Sequence, residues 1–262
     1  MHYTSVRIKF ILVEKAGSII MNHQELVKVI QQELYNDDAV LALVLVGSVA
    51  RHEETPNSDI DLFVITNKDF MQNSRVIRNG ITVELIEGPL EQLVRKRVLE
   101  KEAVALNLMA SGVLLFDKTS ETEKLIAEAK EIIKEGPPIP TSHSNEQWKI
   151  GKRGEITGIY SDLLDIDDEI NFNYIASILI SSAIPLIFEN NNLWSQSNRK
   201  NLDYLKSQCF NEYKNIETLL NQICSVAERR NAARRLVEAV LGPHGGMLEG
   251  DIVIGKQKIE AN

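Results

Sequence analysis

Cysteine is scarce in this chain, with only Cys209 and Cys224 among 262 residues. Two thiols exclude a disulfide-stapled framework, and their separation of fifteen residues matches no ligand spacing of a zinc site. We therefore expect both thiols to be reduced and the protein to be cytoplasmic.

Positive charge is also in short supply. The chain has 29 Lys and Arg against 37 Asp and Glu, which gives a formal net charge of −8. Binding a nucleic acid through its phosphates needs a basic surface, so no nucleic-acid partner is expected. An anionic substrate would need a local cationic site or metal ions, whereas the overall field weakly favours a cationic small acceptor.

Long apolar runs are also scarce in the sequence. No stretch is predicted to reach the length of a transmembrane span, and "VRIKFILV" (6–13) is too short for one and lacks the small-residue cleavage site of a signal peptide. No membrane partner is expected. The stretch "MNHQELVKVIQQEL", which begins at Met21, resembles a natural domain start, so residues 1–20 are interpreted as an N-terminal extension.

What the chain does contain is 44% hydrophobic residues in short periodic segments, enough for a sizeable core. The run "VLALVLV" predicts a strand buried on both faces, and Asn79-Gly80 is a hairpin-type turn signal. Pro89 suits the first position of a helix. Up to residue 118 the predicted elements are helices at 22–34 and 89–112, strands at 40–46, 59–66, 81–88 and 113–117, and a short helix or loop at 67–80.

From Lys118 onward the pattern changes to long helical periodicities. Ser120 and Glu123 have the spacing of a capping box, and the arginines of "ERRNAARR" (228–235) are interpreted as a solvated or subunit-facing helix side. The predicted helices are 120–136, 145–165, 171–190, 198–224 and 226–242. The fold class is α+β: a small mixed β-sheet domain flanked by helices at 21–118, then an all-α helical-bundle domain with a C-terminal tail at 119–262.

Two aspartates open the second strand, in "GSVARHEETPNSDIDL" (47–62). Residues two apart in a strand share a face, which places Asp59 and Asp61 about 7 Å apart by strand rise. Glu84 completes a three-acid cluster if its strand neighbours the second, whereas Glu87 is a rival third acid on the opposite face. Asp-x-Asp alone is common in solvated turns, but carboxylates on one buried face require a cation, and oxygen ligands favour Mg²⁺ carried by nucleotide phosphates.

Gly47-Ser48 follows the first strand directly. A glycine at such a point lets backbone approach a phosphate, and the N–H groups of the next turn can point at it. This is not a Walker loop, because no Gly-Lys-Ser/Thr follows at the required spacing.

Gly-Ser, ten residues and then Asp-x-Asp after an apolar strand resembles the nucleotidyltransferase superfamily typified by DNA polymerase β. The resemblance covers roughly residues 21–118. It implies that Asp59, Asp61 and Glu84 are catalytic acids that hold Mg²⁺, and that Gly47 and Ser48 contact the nucleotide triphosphate. The helical half is similar in layout to antibiotic nucleotidyltransferases that act on aminoglycosides or lincosamides.

Other candidate site residues have weaker support from the sequence. Arg51, one turn after Ser48, could reach the triphosphate or be a solvated arginine. Lys152 lies in an otherwise apolar helical stripe and is interpreted as nucleotide-binding, although a lysine in such a stripe more commonly extends to solvent. The candidates for a general base are Glu155, Asp162 and Asp165, each of which could instead belong to a solvated acidic helix.

These observations lead to two functional hypotheses. In the first, the protein transfers an NMP from an NTP, with ATP the expected donor, to a hydroxyl of a small acceptor such as an aminoglycoside-like antibiotic, and releases pyrophosphate. In the second, it is a toxin–antitoxin-type regulator that nucleotidylates or binds a protein partner. A non-catalytic nucleotide-binding module would lack an acid, yet all three are present. The resemblance also allows a homodimer.

Overall fold

The computed structural model describes residues 21–140, 144–197 and 200–248. The predicted extension at 1–20 and the tail from residue 249 lie outside the described residues. Contacts divide the chain into two compact units, one of Met1–Arg95 with Ser111–Leu125 and one of Lys96–Ala110 with Ile126–Asn262. The predicted boundary after residue 118 stays a prediction.

The first unit is built on a five-stranded mixed sheet with the order β3-β4-β2-β1-β5. The pair β2–β4 is parallel, and the other neighbouring pairs are antiparallel. A parallel pair needs a crossover, which the segment containing β3 supplies. The strands are β1 (Val40–Val46), β2 (Ile60–Thr66), β3 (Gln72–Arg78), β4 (Ile81–Gly88) and β5 (Val113–Asp117).

Helix α1 (His23–Tyr35) supplies the apolar layer on one face of this sheet. Asn22 caps it by accepting from Glu25 N–H, and the apolar residues spaced three and four apart face the core. Strand β1 is almost wholly buried, which confirms the interpretation of its continuous apolar run. The core residues of α1 are Leu26, Val27, Ile30 and Leu34.

One strand was missed by the sequence pattern. The segment 67–80, predicted as a short helix or loop, contains β3, which pairs antiparallel with β4 across the turn at Asn79 and Gly80. Both turn residues have positive φ, 50° and 77°, as the hairpin signal requires. Strand β3 lies at the sheet edge with four of its seven residues exposed and few apolar side chains, so its sequence carries little strand signal.

Two predicted helices are interrupted. The region 89–112 forms a π-helix at Glu91–Arg95, α3 (Lys96–Leu99) and α4 (Ala103–Ala110), because Lys101 has a φ of 58° and ends the first segment. The region 198–224 divides into α8 (Asn201–Gln208) and α9 (Phe210–Leu220), because Cys209 leaves the helical region with φ −134° and ψ 61°.

The capping box predicted at Ser120 is also wrong. Helix α5 (Glu121–Glu135) is capped instead by Asp117 at the end of β5, whose carboxylate accepts the N–H groups of Thr119, Ser120, Thr122 and Glu123. Ser120 itself has a φ of 64°. Burial raises the pKa of Asp117, but the backbone and side-chain hydrogen bonds together outweigh it and hold the pKa below its ordinary value.

The second unit is helical. Its main core contains residues from α6 (Glu146–Asp165), α7 (Glu169–Asn190), α8, α9 and α10 (Val226–Leu241). Arg229 on α10 is 2% exposed, so the prediction of a solvated arginine face is wrong for this residue. Its guanidinium donates to the Leu219 carbonyl (2.9 Å) and to Asn173 Oδ1, and lies 4.4 Å from the ring centre of Phe172. These contacts satisfy a charge that would otherwise be costly to bury.

Helix α7 corrects the expectation about apolar length. It is 22 residues long and contains an 18-residue stretch with a mean hydropathy of 1.6, enough by length and composition alone to cross a membrane. Eight of its residues are buried in the unit, Phe172, Ala176, Leu179, Ile180, Ala183, Leu186, Ile187 and Phe188. Helices at the centre of a soluble core have the same composition, so this property is weak evidence for a membrane span.

Candidate active site

Three carboxylates meet at one end of the sheet. Asp61 on β2 pairs in parallel register with Glu84 on β4, and Asp59 comes one residue before β2 begins. Asp59, Asp61 and Glu84 each offer one carboxylate oxygen, and these oxygens lie within 4.8 Å of one another. All three side chains are partly exposed. The structure therefore brings together the three acids that the sequence pointed to.

The loop before Asp59 is held from α1. His23 Nε2 donates to the Ser58 carbonyl at 2.9 Å, and both residues are buried. The Ser58 hydroxyl in turn accepts the Thr55 N–H, and Gln24 donates to the Val49 carbonyl at 3.1 Å. Nothing in the sequence indicates this supporting role of His23, because the residue lies 35 positions before Ser58 and shows only as a polar residue at the start of a helix.

Gly47 lies directly against Asp61. It has a φ of 75°, and a Cβ at this position would lie 2.2 Å from Asp61 Oδ2. Both the backbone conformation and the close approach require glycine. Ser48 follows in the short helix α2 (Gly47–Ala50), where its carbonyl accepts the N–H groups of Arg51 and Glu53. The Gly-Ser pair thus begins beside the carboxylate of Asp61, and its contact with a nucleotide triphosphate stays a prediction.

The cluster is electrostatically costly without a cation. The pKa of Asp61 is raised to about 6, first by burial and then by the charges of Asp59 and Glu84, while Arg51 opposes the rise. A bound divalent cation would remove this penalty, and an all-oxygen donor set suits Mg²⁺. The oxygen donors and the close approach of Gly47 to Asp61 therefore fit a metal centre. A divalent cation held there would neutralise charge developing on a phosphoryl group.

Glu87 does not belong to this cluster. It is 1% exposed and shares the opposite sheet face with Val64, its partner in register on β2. Its carboxylate lies 3.7 Å from Lys68 Nζ. Burial raises the pKa of Glu87, Lys68 lowers it, and Asp37 raises it further. Glu84 and Glu87 are thus two carboxylates three residues apart in one strand with different surroundings.

Two of the remaining predicted residues, Arg51 and Lys152, have local partners. Arg51 Nε donates to Glu53 Oε2 at 2.8 Å, although its charge still acts on Asp61. Lys152 lies on α6 in the second unit, where its Nζ is 2.8 Å from Glu155 Oε2. Asp162 and Asp165, also on α6, are exposed. The roles predicted for these residues and for Glu155 at a nucleotide or acceptor stay predictions.

Residues 28–131 match the family model described as "Polymerase beta, Nucleotidyltransferase". No curated protein matches the chain. Among solved structures, the chain is similar to a nucleotidyltransferase-like protein from Exiguobacterium sibiricum 255-15, with 14% identity and a TM-score of 0.43 over 84% of this chain and 74% of that one. The family match includes Gly47, Ser48 and all three clustered acids, and it supports the nucleotidyltransferase superfamily for this segment of the chain.

Proposed function

We propose that this protein is a metal-dependent enzyme that transfers an NMP from an NTP to a hydroxyl group of a small acceptor and releases pyrophosphate. The observation that carries this proposal is the set of three carboxylate oxygens within 4.8 Å of one another, contributed by Asp59, Asp61 and Glu84. Carboxylates gathered in this way on neighbouring strands repel each other unless a cation is bound.

The proposed reaction gives each site residue a specific role. Asp59, Asp61 and Glu84 would hold Mg²⁺, and Gly47 and Ser48 would lie along the triphosphate. The acceptor oxygen forms a bond to the α-phosphorus, the bond from that phosphorus to the bridging oxygen of the β-phosphate breaks, and the hydroxyl proton passes to a base. Arg51 and Lys152 are proposed contacts of the triphosphate, and ATP is the proposed donor.

The proposed acceptor is a small hydroxylated and cationic molecule of the aminoglycoside type. The net charge of −8 supports this choice, since it favours cations near the protein. Antibiotic modification is accordingly one form that the activity could take. The base that receives the acceptor proton is proposed to come from the acidic residues of α6.

Pyrophosphate release is the direct test. The protein is incubated with Mg²⁺, each of the four NTPs in turn, and a pooled set of aminoglycosides and lincosamides. Release that depends on one acceptor and is lost in Asp59→Asn/Asp61→Asn would support the proposal and identify both substrates. Binding of nucleotide without release of pyrophosphate would instead favour a protein acceptor, as in the toxin–antitoxin hypothesis.

A matched pair of variants in β4 separates the site from general damage. Glu84→Gln removes a cluster acid, whereas Glu87→Gln makes the same chemical change three residues away on the other face. We expect the first variant to lose Mn²⁺ binding and pyrophosphate release and the second to retain both. Equal loss in both variants, with both folded by circular dichroism, would contradict the assignment of Glu84.

A further inference from the structure

One row of side chains crosses the sheet at the level of the carboxylates. Arg75 on β3 is the direct antiparallel partner of Glu84 on β4, and Glu84 is the parallel partner of Asp61 on β2. Strands are about 4.8 Å apart, so Arg75 starts about 10 Å from Asp61 along the row. An arginine side chain can span most of that distance.

Arg75 is paired to the cluster but is not fixed there. Its Nη1 lies 3.1 Å from Glu84 Oε1, while 70% of the Arg75 side chain and 36% of the Glu84 side chain are exposed. Exposed cross-strand ion pairs contribute little to the stability of a fold, because water screens their charges. The pair therefore does little for the sheet, yet it occupies an oxygen of a residue that the metal centre needs.

The other arginine that acts on the cluster is differently placed. Arg51 lowers the pKa of Asp61 but binds Glu53 at 2.8 Å through Nε. Arg75, in contrast, has Glu84 as its partner, so its guanidinium would lose that partner when a cation took the carboxylate. A planar guanidinium beside a site that binds a triphosphate can donate charge-assisted hydrogen bonds to a phosphate oxygen.

We propose that Arg75 is a positioning residue that exchanges partners: it holds Glu84 while no cation is bound, and it moves to a phosphate oxygen of the metal-bound triphosphate or pyrophosphate when Glu84 binds the cation. This inference rests on the proposed function. It adds an arginine to the site that the Gly-Ser and Asp-x-Asp pattern does not contain. It also makes the affinity for free metal depend on a residue that is not a ligand.

The exchange predicts opposite changes in two affinities. Arg75→Gln removes a competitor for Glu84, so free Mn²⁺ should bind about two- to fivefold tighter. The same variant removes a phosphate contact, so pyrophosphate in the presence of saturating Mn²⁺ should bind about tenfold weaker. A purely structural role would weaken both, and a solvated arginine would change neither.

The test uses the full chain, isothermal titration calorimetry, Mn²⁺ alone, and then inorganic pyrophosphate with Mn²⁺. Arg78→Gln is the matched control, because it removes the same charge from the same strand but its guanidinium pairs with Glu33 of α1. Arg75→Lys should restore part of the pyrophosphate affinity. Melting temperatures of all variants in EDTA should agree within a few degrees.

The outcomes separate this inference from the proposed function. Tighter Mn²⁺ together with weaker pyrophosphate in Arg75→Gln alone supports the exchange. The exchange is overturned if the two affinities change with the same sign or do not change in Arg75→Gln. It is also overturned if the wild-type protein binds Mn²⁺ but no pyrophosphate. Each of these results leaves the metal site intact. Failure of wild-type protein to bind Mn²⁺ at all would overturn the proposed function as well.

Discussion

Gly47 lies so close to Asp61 that a single methyl group at position 47 would overlap the carboxylate, with 2.2 Å between Cβ and Oδ2. Gly47→Ala should therefore displace the Asp61 side chain and weaken Mn²⁺ binding by an order of magnitude or more, which calorimetry can measure. Gly80→Ala is the control, since its φ of 77° imposes similar backbone strain but its Cβ would meet nothing within 4 Å. Both variants should lose about 1–2 kcal/mol of unfolding free energy.

Loss of Mn²⁺ affinity in Gly47→Ala alone would show that contact with Asp61, and not strain at the residue, decides the effect. Equal losses in the two variants would contradict this explanation.

Asp61→Asn should stabilise the metal-free protein at neutral pH. The substitution removes a negative charge that burial and two neighbouring carboxylates make costly. In EDTA at pH 7.5 the variant should melt at a higher temperature than the wild type, and added Mg²⁺ should raise the melting temperature of the wild type only. A lower melting temperature for the variant in EDTA would contradict the argument.

The same residue predicts a pH dependence. Its pKa of about 6 in the folded protein lies above the ordinary value of 3.8, so the folded state binds more protons between those values. The contribution of Asp61 to the unfolding free energy therefore falls as pH rises from 3.8 to about 6 and stays low above that range. Denaturant unfolding in EDTA, compared between wild type and Asp61→Asn at pH 4.5 and 7, should show the difference growing with pH.

His23→Ala should loosen the loop that ends at Asp59. It leaves the buried Ser58 carbonyl without its donor, which costs about 1–3 kcal/mol of unfolding free energy. Mn²⁺ affinity should fall with it, because Asp59 follows Ser58 directly. His52→Ala changes an exposed histidine in the same region and should shift stability by less than about 0.5 kcal/mol. Unchanged Mn²⁺ affinity in His23→Ala would exclude a role in positioning Asp59.

Arg229→Ala should destabilise the helical unit by about 3 kcal/mol, because it leaves the Leu219 carbonyl and Asn173 without a donor and opens a cavity beside Phe172. Arg234→Ala, on the same helix, removes a residue that pairs with Glu238 at 62% exposure, and it should cost at most about 0.5 kcal/mol. Chemical denaturation monitored by circular dichroism measures both. Similar small losses would contradict the stated role of Arg229.

Much of the first unit could be predicted because its strands are apolar and its turns use specific residues. The range of β1 follows from a continuous buried run, and β4 follows from alternation after Asn79-Gly80. Strand β3 could not be found in this way, since an edge strand with polar residues has no buried face to impose a period. The Asp117 cap was missed because it lies before the helix by several residues, beyond the spacing of a capping box.

Some residues of the candidate site could also be predicted from the sequence, and others could not. The spacing from Gly47 to Asp61 is local and indicated Gly47, Ser48, Asp59 and Asp61, whereas Glu84 was indicated by the alternation of its own strand. The structure gathers the three acids and places Gly47 against Asp61.

The role of His23 could not be predicted, because its partner Ser58 is 35 positions away and the sequence does not show that α1 packs beside this loop. Arg75 was missed for another reason: it lies on β3, the strand whose sequence carries little strand signal, so its pairing with Glu84 was not expected. Lys152 was selected from a helical stripe, and helical spacing shows which residues share a face but not what that face meets.

The parallel pairing of β2 and β4 also has a consequence for folding. Asp61 and Glu84 are 23 positions apart and become neighbours only when the chain between them has closed a loop and the two strands are in register. The unfolded chain therefore offers no comparable set of ligands, and a divalent cation held by this cluster would bind the native state alone. Under the proposed function, such a cation would act by mass action as a folding ligand, and the concentration of Mg²⁺ around the protein would set part of its stability.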